Sequence, residues 1–164
     1  MAKALKWKSP EGYLLAAGGV LLLDGDGAWV VSEQGKYTDI GGRYDFNDGD
    51  IYATIAREFR EELYNTAEIS YFDLKNVPLS SKHYIDSFVG NPIYMCIVVN
   101  VSDIPLRGVL DNESVKRAKD EILRSNRYVP PHRYTTESLK LVPMSELRVA
   151  SNVSPRLRSI LEGL

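Results

Sequence analysis

Asp39-Ile40-Gly41-Gly42, followed by Arg57-Glu58-Phe59-Arg60-Glu61-Glu62, is the stretch on which the reading of this chain turns. Between the two segments, Asp48 or Asp50 can cap a helix that runs to about Tyr64. Its apolar residues Ile51, Ile55, Phe59 and Leu63, with Tyr52 and Ala56 beside them, recur at the spacing of one buried stripe. At about 100° per residue, Glu58, Glu61 and Glu62 share a single arc, roughly 130° round the cylinder from the stripe through Tyr52, Ala56, Phe59 and Leu63. Like charges one turn apart repel, so something must offset them. A hard divalent cation does so by taking oxygen ligands, and Mg²⁺ combines a few carboxylates with water and substrate phosphates. Arg57 can orient one of the glutamates. Taken without its context, the same face reads as a solvated helix surface held by i,i+4 ion pairs.

Working outward, Tyr13 to Leu23 and Ala28 to Ser32 are two apolar runs joined by Asp24-Gly25-Asp26-Gly27. That chemistry predicts a β-hairpin, because Gly and Asp tolerate the positive φ of a tight turn. The turn lacks the glutamate that a calcium loop requires at fixed spacing. Gly41-Gly42, within Tyr37 to Phe46, marks a bend or a close backbone approach. Further β-prone runs are Glu68 to Leu74 and Ile93 to Val101, the second apolar enough to be a buried strand. Asp111 to Arg127 carries helical spacing at Val115, Ala118 and Ile122, and Val129-Pro130-Pro131 should stop it. Ser138 to Pro143 reads as a last strand, and Ser154-Pro155 opens a terminal helix as N-cap and first-turn proline. Strands alternating with a few helices predict an α/β (α+β) layered architecture with a mixed sheet, one domain over residues 1–164.

Composition narrows the function classes. The chain has 164 residues, 44% of them hydrophobic and 26% charged, which is an ordinary globular balance. A formal charge of −2 gives no footprint for non-specific nucleic-acid binding. One cysteine excludes an intramolecular disulfide scaffold. Met1 to Pro10 contains no apolar stretch suited to a signal peptide, and the run from Tyr13 to Leu23 is short of the roughly 20 residues a membrane span needs. A cytoplasmic protein without a membrane partner is therefore expected.

The quoted segments resemble the Nudix family, whose signature runs Gly-x5-Glu-x7-Arg-Glu-U-x-Glu-Glu-x-Gly-U with U apolar. Leu15-Ala16-Ala17-Gly18-Gly19-Val20 looks like that family's opening strand, and Leu141-Val142-Pro143-Met144-Ser145-Glu146-Leu147 looks like its closing segment. Only about Ile104 to Thr136 lacks a counterpart. The resemblance implies an α/β/α sandwich and hydrolysis of a diphosphate linkage. It implies that Glu58, Glu61 and Glu62 ligate Mg²⁺ or Mn²⁺, that Arg57 orients Glu58, and that Gly41, Gly42 and Arg43 lie against the substrate. The substrate would be a nucleoside diphosphate derivative: an ADP-ribose-like molecule, a nucleotide sugar, a dinucleoside polyphosphate or a capped RNA end, the last not favoured. A Nudix-like domain that binds a nucleotide or a protein without turnover is the rival reading. The chain departs from the signature at three places: Gly49 falls where the first glutamate is called for, with Asp48 and Asp50 flanking it, Ile40 replaces the usual proline, and Tyr64 replaces the glycine after Glu-Glu-x. The helix exit must therefore differ, or Asn65 must take the turn.

The resemblance also implies a role for Glu137, since several members of that family carry a further carboxylate before the last strand that helps bind metal or acts as base; an exposed loop glutamate is the alternative. The most basic stretch is Lys116, Arg117, Lys119, Arg124, Arg127, His132 and Arg133, with Tyr128 and Tyr134 interleaved. It is expected to be a solvated helix and loop, since Asp120 and Glu121 dilute its charge. His83 and His132 have no metal-ligand spacing, and Cys96 sits in an apolar strand as a core residue. Trp7 and Trp29 are core, dimer-contact or base-stacking residues, and a homodimer remains open at this point.

Overall fold

A computed structural model describes residues 5–86, 92–125 and 135–164. Its strands are β1 (Trp7–Lys8), β2 (Leu14–Leu15), β3 (Ala17–Asp24), β4 (Gly27–Glu33), β5 (Lys36–Thr38), β6 (Ile40–Arg43), β7 (Ala67–Glu68), β8 (Lys82–Asp86), β9 (Pro92–Asn100), β10 (Arg107–Gly108) and β11 (Ser138–Pro143). Its helices are α1 (Ile51–Glu62), α2 (Tyr71–Lys75), α3 (Asn112–Arg124), α4 (Met144–Val149) and α5 (Pro155–Glu162). The main sheet runs β11-β4-β3-β9-β8, with β5 added to β4 and β6 to β3. It is mixed: β3 is antiparallel to β4 and β6 but parallel to β9.

Period-two alternation assigns the residues of each central strand to two opposite cores. Val20 and Leu22 of β3, Met95, Ile97 and Val99 of β9, and Val31 of β4 pack with Ile51, Ile55 and Phe59 of α1 and Val115 of α3. Leu21, Cys96, Val98, Ala28 and Val30 face the other way, onto Leu147 of α4 and Leu157, Ile160 and Leu161 of α5. The result is the helix–sheet–helix layering that the alternating pattern predicts. Ile55 and Phe59 are fully buried, each worth about 1.5–3 kcal/mol of hydrophobic stabilisation, so the stripe fixes α1 firmly on the sheet.

The hairpin forms with Gly25 at φ 59° in its turn, and Asp24 pairs with Gly27. A second tight turn joins Glu33 to Lys36 through Gln34 and Gly35, both at positive φ (51° and 77°). The last strand and the Ser154-capped, Pro155-initiated terminal helix fall where the sequence places them. The run from Glu68 to Leu74 is corrected: only Ala67–Glu68 is strand. Ser70 accepts a hydrogen bond from the Asp73 amide and starts α2, so local capping outweighs β propensity there. The described part of the third helix ends at Arg124, and Val129-Pro130-Pro131, Arg127, Tyr128, His132, Arg133 and Tyr134 lie outside the described residues. Strand β8 and helix α4 carried no clear sequence signal. Trp7 packs edge-on against Tyr52 and Trp29 donates to Asp24, so both tryptophans serve the fold. His83 lies on β8 opposite Cys96. Among the described residues, no helix is long and apolar enough to cross a membrane.

Candidate active site

The entry to α1 is built in two steps. A 3₁₀ turn over Phe46–Asp48 is capped by Asp45, and Gly49 at φ 84° redirects the chain into Asp50. Asp50 then caps α1, its Oδ1 accepting from the Ala53 amide at 3.0 Å while its Oδ2 accepts from the Tyr71 hydroxyl at 2.6 Å. The two flanking acids thus divide the work, because Asp48 turns inward. Arg57 Nε donates to Asp48 Oδ1 at 2.8 Å and Arg57 Nη2 donates to Asp48 Oδ2 at 2.9 Å, a bidentate pair. Asp48 also accepts from the Thr54 hydroxyl and the Asp45 amide.

Arg57 uses its remaining donors on the helix's own glutamates and on β6. Nη1 donates to Glu58 Oε1 at 2.9 Å and to Glu61 Oε2 at 3.3 Å, and Nη2 reaches the Arg43 carbonyl at 3.0 Å. Gly42 closes the other side, since a Cβ there would overlap the Glu58 carboxyl group. Gly41 has a different task. Its missing Cβ leaves room for the Tyr94 hydroxyl and the Gly18 carbonyl, on the face of the sheet turned from the glutamates.

Glu62 parts company with its neighbours. Its carboxyl accepts from the Thr136 hydroxyl at 2.7 Å and has the Glu33 carboxyl, from the end of β4, as a neighbour. Arg43, Tyr44, Asp45, Arg57, Glu58, Glu61 and Glu62 together line one cleft of about 310 Å³. The expected set of three carboxylates therefore shares a cleft but is split, two glutamates on Arg57 and one on Glu33. Among the described residues, no three potential ligands are gathered at one point. Glu137 is exposed, and its backbone amide extends the pairing to Ser32. From this segment it is Thr136, its neighbour, whose side chain reaches the glutamates.

Electrostatics follow from these contacts. Burial pushes the Glu58 carboxyl up, Arg57 pulls it back and Glu61 adds repulsion, leaving it raised. Glu62 is pushed well above the usual carboxylate range by burial and then by the Glu33 charge and hydrogen bond. For Asp48 burial acts upward, but Arg57, the Asp45 amide and Thr54 together win, so it lies below its ordinary value. Arg57 is held firmly protonated, above all by Asp48.

Beneath the cleft, a buried polar cluster anchors the strand that carries Gly41-Gly42. Asp39, only 1% exposed, accepts from Arg156 Nε at 2.7 Å and from the Tyr94 hydroxyl at 2.5 Å. The Arg156 guanidinium lies 4.4 Å from the Tyr94 ring centroid. Burial and the Asp39 charge push Tyr94 and Cys96 well above their ordinary values, which keeps the Cys96 thiol protonated and in the core. Neither Glu33 nor Thr136 was marked by sequence reasoning, because their meeting with Glu62 depends on how β4 and the segment before β11 dock beside α1.

No family model and no curated protein sequence matches this chain. Solved structures do match. The MutT protein from Methanosarcina mazei Go1 superposes with a TM-score of 0.52 at 12% identity, covering 91% of each chain. The E. coli ORF135 protein gives 0.52 at 16% identity over 89% of this chain and 84% of its own. A NUDIX hydrolase from Nitrosomonas europaea gives 0.49 at 12% identity, over 90% and 84%. At such identities the two likenesses above 0.5 speak for architecture alone, and they agree with the mixed sheet between helices: this chain has the Nudix fold.

Proposed function

We propose that this chain is a Nudix-type pyrophosphohydrolase that cleaves a diphosphate linkage in a nucleoside diphosphate derivative with Mg²⁺ or Mn²⁺. The observation that carries the reading is the cleft itself: Glu58, Glu61 and Glu62 of α1 line it together, with Gly42 pared back to the Glu58 carboxyl. The donor set fits a hard cation, since the ligating atoms on offer are carboxylate oxygens. Glu58, Glu61 and Glu62 would hold the metal, which when bound supplies Lewis-acid polarisation of the phosphoryl group and charge neutralisation.

The chain's own residues do the rest. Arg57, locked by Asp48, aims Glu58 and Glu61 into the cleft. Arg43, at its rim, is placed to meet phosphate oxygens. The attacking water must lose a proton, and a carboxylate of the set accepts it within hydrogen-bond reach. Substrate choice among nucleotide-type molecules rests on residues outside α1, including the stretch from Ile104 to Thr136. We also assign one domain to residues 1–164, and place Glu137, exposed just before the last strand, outside the lining of the cleft.

One observation favours a second reading. Arg57 already neutralises both Glu58 and Glu61, as it would in a nucleotide- or protein-binding module without turnover. A panel of nucleoside diphosphate derivatives with Mg²⁺ or Mn²⁺, and E61Q and E62Q proteins alongside, separates the two. Turnover that EDTA abolishes and that falls about 100-fold or more in either variant is expected, the kinetic equivalent of about 2.7 kcal/mol of transition-state stabilisation. A folded protein inert towards every substrate with both metals would establish the binding module instead.

A further inference from the structure

The carboxylate cleft, at about 310 Å³, is walled almost wholly by charged side chains. It lies at the low end of ligand sites, which run from about 300 to 1,000 Å³, and it offers no apolar wall for a base. The nucleoside part of a nucleotide-type substrate must therefore rest elsewhere. Arg57 also walls a second hollow, of about 630 Å³, between α1, α2 and the segment around β10. On α1, Ala53, Ala56, Arg57 and Arg60 recur at the i, i+3, i+4, i+7 spacing of one helix face, and all four line this hollow. The two alanines keep its floor open, and Ile69 and Pro105 add to its apolar surface. Tyr71 closes one side, its hydroxyl donating to Asp50 Oδ2 at 2.6 Å and accepting from Lys75 Nζ at 3.0 Å, so the ring is held in place. A fixed ring beside an apolar floor suits a flat base.

The charges of the hollow are unevenly satisfied. Asp73 accepts from the Ser70 hydroxyl at 2.7 Å, and Glu68 pairs with Arg107 at 3.6 Å. The Arg107 side chain is 88% exposed, and an ion pair of that kind holds it only loosely. Arg60 takes neither carboxylate: among the described residues its side chain makes no ion pair and no hydrogen bond. A guanidinium so placed matches a phosphate. We propose that this hollow seats the nucleotide arm of the substrate, with the base against Tyr71 and its phosphate on Arg60 and Arg107. The linkage to the next phosphate then reaches across Arg57 to the glutamates. This rests on the pyrophosphohydrolase reading above. It adds Arg60, from the unspecified position of the helix signature, to the residues outside α1 that choose the substrate. Pro105 and Arg107 belong to the stretch without a counterpart in that signature, so the hollow is a feature of this chain's own sequence.

The test is binding of AMP to the metal-free protein by calorimetry, with adenosine and ribose 5-phosphate as the two halves of the probe. Wild-type, Arg60→Glu, Ala53→Leu and Lys36→Ala proteins are compared, with circular dichroism as the check on folding. Lys36 lines a separate hollow with Thr38 and Arg156 and serves as the control. AMP should bind more tightly than either half. Arg60→Glu and Ala53→Leu should each weaken it about 10-fold or more, the first by losing a charge-assisted contact and the second by filling the floor. Lys36→Ala should bind as wild-type does. In hydrolysis assays AMP should compete with the substrate, and the same two variants should raise KM about 10-fold with kcat held. AMP that binds through Arg60 but alters only kcat would make the hollow a separate regulatory site and overturn the assignment. Binding lost in Lys36→Ala and kept in Arg60→Glu would move the nucleotide to the other hollow, with the same consequence. Wild-type protein that binds no AMP also overturns it. A protein inert towards every substrate, whose AMP binding still depends on Arg60 and Ala53, would remove the hydrolase reading and leave the hollow as a nucleotide seat. Should Ala53→Leu fail to fold, Arg107→Glu carries the same comparison.

Discussion

Replacing Asp48 by asparagine is the sharpest test of how α1 is prepared. Asp48 is 7% exposed in its side chain and Arg57 27%, so their bidentate pair is shielded from solvent. An asparagine keeps one carbonyl oxygen for Arg57 Nε but turns its NH₂ towards Nη2, setting donor against donor. The Thr54 hydroxyl and the Asp45 amide lose the oxygen they share, Oδ2. Hydrogen bonds to charged groups contribute about 1.5–3 kcal/mol each, and Glu58 and Glu61 still compensate the Arg57 charge, so a net loss of about 2 kcal/mol is expected. For a chain of this length that lowers the melting temperature by about 4–8 °C. The pH dependence follows from the depressed Asp48 carboxyl. Its contribution is complete above the ordinary carboxylate value and fades as pH falls through the lower folded-state value, whereas asparagine does not titrate. Urea unfolding of both proteins from neutral pH down to about pH 3 should therefore show the gap narrowing in acid. A gap below about 0.5 kcal/mol at neutral pH, or one that persists undiminished in acid, would show that Asp48 does not hold Arg57 as argued.

Other substitutions probe neighbouring parts of the site. Gly42→Ala places a methyl in the Glu58 carboxyl group; hydrolysis and Mn²⁺ affinity should each fall about 10-fold or more with circular dichroism retained, and unchanged affinity would detach Glu58 from the metal. Tyr94→Phe removes the donor to buried Asp39 and should cost about 1.5–3 kcal/mol in denaturant titrations, whereas a neutral result would mean that Arg156 alone satisfies the carboxylate. Because Tyr94 and Cys96 are raised in the folded chain, both are neutral in either state below their ordinary values. Stability should then fall as pH climbs through about 8.5–10, where the unfolded chain ionises first, and Tyr94→Phe should flatten that slope. Tyr64→Phe loses the hydroxyl bond to the Thr136 carbonyl and should cost about 1 kcal/mol, read as a shift in urea midpoint; no shift would show that this bond contributes nothing beyond what the ring provides.

Features governed by local rules were legible in the sequence. The apolar stripe of α1, the hairpin at Gly25, the strand Ser138–Pro143 and the Ser154-Pro155 start all follow from spacing or capping within a few residues. What escaped depends on contacts between distant segments. Glu68 to Leu74 has β-prone composition, yet Ser70 finds the Asp73 amide and the helix wins. Glu33 looks like any polar residue at a turn until β4 is laid beside the end of α1. Tyr64 is the plainest instance. A glycine is expected there because the chain leaves the helix at positive φ, and Tyr64 and Asn65 do adopt 52° and 64°. A non-glycine residue in that region costs roughly 1–2 kcal/mol, which the buried ring and its bond to Thr136 offset.

The same bond explains why the altered helix exit and the carboxylate site belong together. Thr136 gives its carbonyl to Tyr64 and its hydroxyl to Glu62, while Lys119 of α3 donates to that same carbonyl. A glycine at position 64 would relax the backbone but remove one of two anchors that hold Thr136 against Glu62. The entry to α1 shows a parallel substitution. Gly49 stands where a glutamate is expected, and the 3₁₀ turn over Phe46–Asp48 moves Asp48 into reach of Arg57 instead. At both ends a departure from the helix signature is matched by a contact that fixes a glutamate: Asp48 through Arg57 on Glu58 and Glu61, and Tyr64 through Thr136 on Glu62. A helix that had merely lost its signature would leave these side chains free to splay into solvent. Here each departure is tied back to the cleft, as the hydrolase reading proposed above requires.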